Sequence, residues 1–235
     1  FGNVISGDIV TSTASVDTST LSTSGNPIVG TYTQTASSIA GADSGNYSFG
    51  GYTTSTKNYT VNKLALTGAS IAAGSSVYGS SLTPGAVTFG NVISGDIVTS
   101  TASVDTSTLS TSGNPIVGTY TQTASSIAGA DSGNYSFGGY TSGSNYTITQ
   151  LALTASIAPV TTTYGTPAAT GAVTLTNKIV GDIVTAASAT IVSPAYSTSG
   201  NLKADTYDQT VGSSLSGADS GNYSLCFYTS STKIY

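Results

Sequence analysis

The side chains that could do chemistry in this chain gather in one short motif, Gly-Ala-Asp-Ser-Gly-Asn-Tyr-Ser, found at 41–48, 129–136 and 217–224. The chemistry would be oxygen ligation. Asp43 with Asn46, Asp131 with Asn134 and Asp219 with Asn222 each offer a carboxylate and an amide oxygen three residues apart, a sparse set of calcium ligands. Calcium takes about six to eight oxygens, usually from several carboxylates. The motif therefore falls short unless Asp8, Asp96 or Asp182 approaches in space and carbonyls and water complete the set. The same residues also read as a tight turn entering a strand. Asp and Asn bond turn backbone, Gly supplies positive φ, and Tyr47, Tyr135 and Tyr223 fill a core. That reading needs no cofactor, and none is otherwise expected.

A second acid recurs in Gly-Asp-Ile-Val at 7–10, 95–98 and 181–184. It reads as a turn into a buried strand, the Asp accepting from backbone donors. The chain holds no His, Arg, Glu, Trp or Met, and a single Cys. General acid–base catalysis draws mostly on His and Glu, and zinc on His and Cys clusters. Glycosidase chemistry needs two carboxyl groups flanking a cleft, and no second, differently tuned acid stands near any Asp in sequence. An enzyme is not expected.

Composition narrows the partners. The formal charge is −5, with five Lys and no basic run, which argues against nucleic acid and anionic membrane surfaces because phosphate binding needs clustered cations. No apolar stretch approaches the ~18 residues of a membrane span. Phe1 opens within a repeat and no signal peptide is visible, so the chain reads as a piece of something longer. Cys226 stands where earlier copies have Gly50 and Gly138 and reads as a small apolar residue in a strand. The scarcity of Cys suits an exported bacterial protein built without disulfides. Five sequons, at Asn46, Asn58, Asn134, Asn145 and Asn222, all have Tyr in the middle, which strand-entry packing explains better than glycosylation.

The elements that must position these residues are repeats. Residues 1–53 recur unchanged as 89–141, an offset of 88, and a diverged third copy follows. A long fixed period sets architecture before any residue-level reading. Cutting at the handover gives a partial module at 1–63, a complete one at 64–150 and a diverged one at 151–235. Few positions survive in all copies: the two Asp motifs and a Tyr-x-Gln at Tyr32, Tyr120 and Tyr207, with Tyr78 and Tyr164, each before Gly, shared by the last two. The remaining Ser and Thr read as tolerant surface, too irregularly spaced for an ice-binding plane.

Short alternating runs separated by turn signals every eight to twelve residues predict an all-β fold, a tandem array of small Ig-like β-sandwich modules. Strands are predicted at 64–71, 86–92, 96–104, 108–110, 116–124, 134–141 and 145–150. A β-helix or other solenoid is the alternative, although its rungs repeat far more often than every 88 residues. Apolar parity switches between Tyr59/Val61 and Leu64/Leu66, and again between Tyr146/Ile148 and Leu151/Leu153. Since strand faces alternate with period two, the last strand of one module should run directly into the first of the next, making a stiff array.

These motifs resemble the MBG and YDG repeat modules found in tandem in very large bacterial exoproteins of the filamentous-haemagglutinin type. The likeness lies in Tyr78-Gly79 and Tyr164-Gly165, the central Gly-Asp, Gly-Thr-Tyr at 30–32 and 118–120, Gly-Asn-Tyr at 133–135 and Asn-Tyr-Thr-Ile-Thr at 145–149. It covers essentially the whole chain. It implies a non-catalytic structural region of a secreted or cell-surface adhesin or extracellular fibre, and no catalytic residues to carry over. The third copy departs by placing Asp205 where Gly118 stands, and by losing the Asn-Tyr-Thr closing strand over 229–235. Other copies of the chain, or host and surface glycans or proteins, would be its partners. Two further readings stay open: a filament subunit completed by strands from a neighbouring chain, and a carbohydrate- or calcium-binding β module.

Overall fold

The structure, a computed structural model, describes positions 1–230 of the 235. The fold is all-β. Its strands are two to four residues long and form sheets of two or three strands. Most pairs are antiparallel, with parallel pairs at three places, a mixture that the uniformly parallel rungs of a β-helix would not give. Among the described residues no helix is long and apolar enough to cross a membrane.

The chain divides into two compact units, each containing parts of two successive repeats. The first comprises Phe1–Ile71, Ala86–Ala102 and Ala124–Tyr140. In it Gln34–Ala36 pairs antiparallel with both Ser15–Val16 and Tyr52–Thr53, and Gly30–Tyr32 pairs with Tyr59–Val61. Two residues further on, Leu64–Ala65 pairs parallel with Tyr135–Ser136 of the second repeat. The strand that closes one repeat thus hands the chain to the next across Asn62 and Lys63 alone.

The second unit comprises Ala72–Gly85, Ser103–Thr123 and Thr141–Tyr235. Its centre is Tyr146–Thr149, paired antiparallel with Gly118–Tyr120 and parallel with Gly74–Val77. Tyr146 and Ile148 point inward and Thr147 and Thr149 outward, the period-two pattern of a strand with one buried face. After Gln150 the parity reverses, and Leu151–Leu153 pairs parallel with Tyr223–Leu225. Tyr78, Tyr146, Ile148, Leu153, Val184, Tyr223 and Leu225 form the core. Each buried aliphatic or aromatic side chain there is worth about 1.5–3 kcal/mol of apolar transfer.

Several predicted strands break in physical ways. The run 64–71 becomes Leu64–Ala65 and Ser70–Ile71, interrupted at Gly68, whose φ is +63°. The run 96–104 keeps only Ser103–Val104, because Asp96 closes a turn by donating its N–H to the Ile93 carbonyl at 3.0 Å. Gly74–Val77, Gly-Ser-Ser-Val, carries no alternating apolar signal, and its pairing along Tyr146–Thr149 is what makes it a strand. Cys226 follows the Tyr223–Leu225 strand and is exposed, so it is not the strand residue expected. Tyr228–Thr229 pairs with Thr210–Val211; positions 231–235 of the third copy's 229–235 departure lie outside the described residues.

Candidate functional site at the repeat junction

Both Asp motifs are turns. Gly-Asp closes with a left-handed glycine, Gly7, Gly95 or Gly181, at φ of +102°, +96° or +98°. Gly-Ala-Asp-Ser-Gly-Asn-Tyr-Ser folds as a one-turn 3₁₀ segment, Ser44–Asn46, Ser132–Asn134 or Ser220–Asn222, leading into the Tyr. The two motifs lie about 40 residues apart in sequence and meet in space. The Tyr hydroxyl donates to the Gly-Asp carboxylate: Tyr47 to Asp8 at 2.6 Å, Tyr135 to Asp96 at 2.6 Å and Tyr223 to Asp182 at 2.5 Å. The Asp of the longer motif accepts from the N–H just beyond Gly-Asp: Asp43 from Ile9, Asp131 from Ile97 and Asp219 from Ile183, at 2.7–2.8 Å. Every copy therefore holds two carboxylates side by side on a frame of its own making.

The other oxygens of this socket are used by the preceding repeat. In the first unit, Thr23 donates its N–H to Asp131 Oδ1 at 3.0 Å and its hydroxyl to Asp131 Oδ2, and Ser24 N–H reaches Asp96 Oδ1 at 3.1 Å. Val29 N–H donates to Asn134 Oδ1 at 2.9 Å. In the second unit the same bonds recur from residues 88 further on. Thr111 N–H donates to Asp219 Oδ1 at 3.1 Å and its hydroxyl to Asp219 Oδ2, while Ser112 N–H donates to Asp182 Oδ1 at 3.1 Å and Val117 N–H to Asn222 Oδ1 at 2.9 Å. Apart from Val29 and Val117, the donors belong to a Ser-Thr-Ser-Gly turn at 22–25 and 110–113, a tetrapeptide also present at 197–200. Its signal is present in the sequence, three identical occurrences at matching positions, but the Ser/Thr background hides it.

The socket's fit is close. A Cβ on Gly95 would sit 3.2 Å from the Ser24 Cβ, and one on Gly181 would sit 3.3 Å from that of Ser112. The second junction adds a tyrosine. The Tyr78 hydroxyl lies 2.6 Å from both Ser110 Oγ and Asp182 Oδ2; a carboxylate only accepts, so the phenol proton goes to Asp182. Tyr78 and Tyr223 meet edge to face at 5.3 Å between ring centroids, a favoured aromatic arrangement.

These carboxylates are stabilised by neutral donors. Hydrogen bonds from Ser24 and then Tyr135 hold Asp96 down to about 2, and the Ile97 N–H and the Thr23 hydroxyl hold Asp131 below its ordinary value. Burial pushes Asp182 upward, but Ser112, Tyr223 and Tyr78 together outweigh it and leave the carboxyl low. Burial likewise pushes Asp219 upward, and the Thr111 hydroxyl and the Ile183 N–H outweigh it and leave the carboxyl low. Multiple hydrogen bonds to the charged form favour ionisation in this way. Burial, then the adjacent Asp182 and Asp96, push the Tyr223 and Tyr135 phenols up, so they remain donors.

The six candidate calcium ligands are thus all placed in these sockets. In the second and third copies Asp131, Asn134, Asp219 and Asn222 spend their oxygens on N–H and O–H donors, leaving few lone pairs for a cation. Among the described residues no group of three His, Cys, Asp or Glu is arranged to hold a metal. No protein-family model, curated protein or solved structure matches this chain.

Proposed function

We propose that this chain is a structural, non-catalytic repeat region of a secreted or cell-surface bacterial adhesin or extracellular fibre, in which each repeat is locked to the next through a carboxylate socket. One observation carries the reading. The same four hydrogen bonds, from a Ser-Thr-Ser-Gly turn and the Val beyond it onto two Asp and one Asn, form at both repeat junctions. The acids act here as acceptors for the backbone and hydroxyls of the neighbouring repeat. A repeated unit with a built-in joint suits length and multivalent presentation, where many weak contacts act together. The likeness to MBG and YDG modules supports the extracellular setting. An antiserum raised against the purified chain should label intact, unpermeabilised cells of the source; labelling that appears only after lysis would overturn the reading.

A further inference from the structure

Among the described residues three strand pairs are parallel, and each joins a strand near the start of a repeat to one late in the same repeat. Leu64–Ala65 pairs with Tyr135–Ser136, Gly74–Val77 with Tyr146–Thr149, and Leu151–Leu153 with Tyr223–Leu225. The mechanical consequence follows from direction. Tension along the chain pulls an opening strand by its N-terminal end and a closing strand by its C-terminal end. In a parallel pair those two ends lie at opposite ends of the ladder, so the strands are drawn past one another and the bonds between them carry the load together. In an antiparallel pair the same two ends lie side by side, and the bonds open one after another.

The pair formed by Gly74–Val77 and Tyr146–Thr149 is the longest of the three, in register from Gly74 opposite Tyr146 to Val77 opposite Thr149. At one end the Gly74 N–H donates to the Asn145 carbonyl at 3.1 Å, and at the other the Tyr78 N–H donates to the Thr149 carbonyl at 2.8 Å. Bonds in a parallel ladder are evenly spaced, so none takes the load ahead of the rest. Both strands are also tied to their surroundings. The Gln122 amide donates to the Ala72 carbonyl before the opening strand and accepts from the Gly85 N–H after it. The Tyr78 hydroxyl, one residue past that strand, donates to Asp182 at 2.6 Å. The closing strand has Gly118–Tyr120 along its other edge and Tyr146 and Ile148 in the core, and the Tyr146 hydroxyl accepts from the Thr83 N–H at 2.9 Å.

We infer that the parallel pair of Gly74–Val77 with Tyr146–Thr149 is a tension clamp, which takes in shear the load arriving along the backbone, so that residues 78–145 unravel only after it slips. Strength against pulling is then a matter of direction as well as of stability. Forced unfolding is governed by the unfolding rate, and one fold has different rates along different pulling axes. The clamp has a use only if the chain is the structural region proposed above, yet the two fail separately. A chain that labels on intact cells but yields equally in every direction would lose the clamp and keep the structural role.

The test is single-molecule force spectroscopy on the whole 235-residue chain, with Cys226→Ser so that the introduced handles are its only thiols. Handles at Ala73→Cys and Gln150→Cys pull the two strands from opposite ends of their ladder. Handles at Ser80→Cys and Gln150→Cys pull both strands from the same end. All three positions are exposed, and none contributes a side chain to the core. At one pulling rate the first arrangement should rupture at a severalfold higher force than the second, although each releases about 250 Å of chain. Matching circular dichroism melts of the two double variants would show that the same fold is being pulled. Equal rupture forces in the two directions, or extension from Ala73 and Gln150 with no force peak, would overturn the clamp.

Discussion

A carboxylate removed from water usually wants a cation, and among the described residues Asp182 and Asp219 have none bonded to their carboxylate oxygens, Lys178 reaching only the Asp182 backbone carbonyl at 3.0 Å. Each takes three donations from amides and hydroxyls instead. The consequence is a pH signature of definite sign. Folding lowers the pKa of Asp96, Asp131, Asp182 and Asp219, so their stabilisation is complete above the unfolded-state value and fades as pH falls through the folded one. The melting temperature should be flat between about pH 5 and pH 9 and fall between about pH 4 and pH 2; a midpoint that does not move in the acid window would contradict the socket. The tyrosines act in the opposite direction. Tyr78, Tyr135 and Tyr223 have raised pKa values, so ultraviolet titration should show phenols that resist ionisation above about pH 10 until the chain unfolds. Thr111→Val deletes one donor to a carboxylate at a partly exposed site and should cost about 1 kcal/mol in chemical denaturation. Thr111→Ser should cost less than Thr111→Val.

At the level of elements, the short strands are held as much by side-chain amides as by ladders. Gln122 is fully buried; its Oε1 accepts from Gly85 N–H at 2.7 Å, and its Nε2 donates to the Ala72 carbonyl at 3.0 Å and to Asn145 Oδ1 at 2.8 Å. It thus ties the segments flanking the Gly74–Val77 strand to the rest of the second unit. Gln209 repeats the anchor at Gly171 N–H, 2.7 Å away. Gln122→Ala removes the partner of the Gly85 N–H and the Ala72 carbonyl and empties a fully buried position, and should cost about 2–4 kcal/mol, measured by urea unfolding. Gln34→Ala should cost clearly less, since Gln34 is only half-buried and its Nε2 meets Asn58. Equal losses would show that the anchor is unimportant. Gly85 explains its own identity: a Cβ there would overlap the Ala72 carbonyl, and Gly85→Ala should cost about 1–3 kcal/mol by overpacking. Much of this level was legible beforehand. Gly-Asp and the Gly that opens Gly-Ala-Asp-Ser-Gly-Asn-Tyr-Ser announce turns because few residues other than Gly take positive φ, as Gly7 and Gly41 and their counterparts do, and Tyr146, Ile148, Leu151 and Leu153 announce both a strand and its reversal of face. Gly74–Val77 was not legible, since a segment without apolar alternation becomes a strand only when a neighbour offers it an edge.

For the whole molecule, the repeat and the compact unit divide the chain differently. Each unit takes the turn of one repeat and the socket of the next, so a fragment cut at repeat boundaries would separate mates. The isolated 64–150 segment would keep Asp96 and Asp131 without Thr23 and Ser24, and Tyr78 without Asp182. It should melt at a lower temperature than the whole chain, by circular dichroism, and its Tyr78 should titrate more readily. A fragment as stable as the parent would mean that the junctions contribute nothing.

What the sequence by itself determined was local and periodic: an all-β chain, a unit repeated at an 88-residue offset, turns at each Gly-Asp and Gly-Asn-Tyr, and the handover of one strand to the next. These follow from backbone sterics and from the alternation of side chains along a strand, both of which act over a few residues. Only the tertiary structure decided what the acids do. Asp131 and Thr23 are 108 residues apart, as are Asp219 and Thr111, and nothing in a Ser/Thr-rich chain marks which hydroxyl will face which carboxylate. A hydrogen bond depends on atoms converging within about 3 Å, and folding alone supplies that convergence. It turned a sparse calcium motif into an acceptor for a neighbour's backbone, and a stretch of apparently tolerant serine and threonine into the donor that fills it.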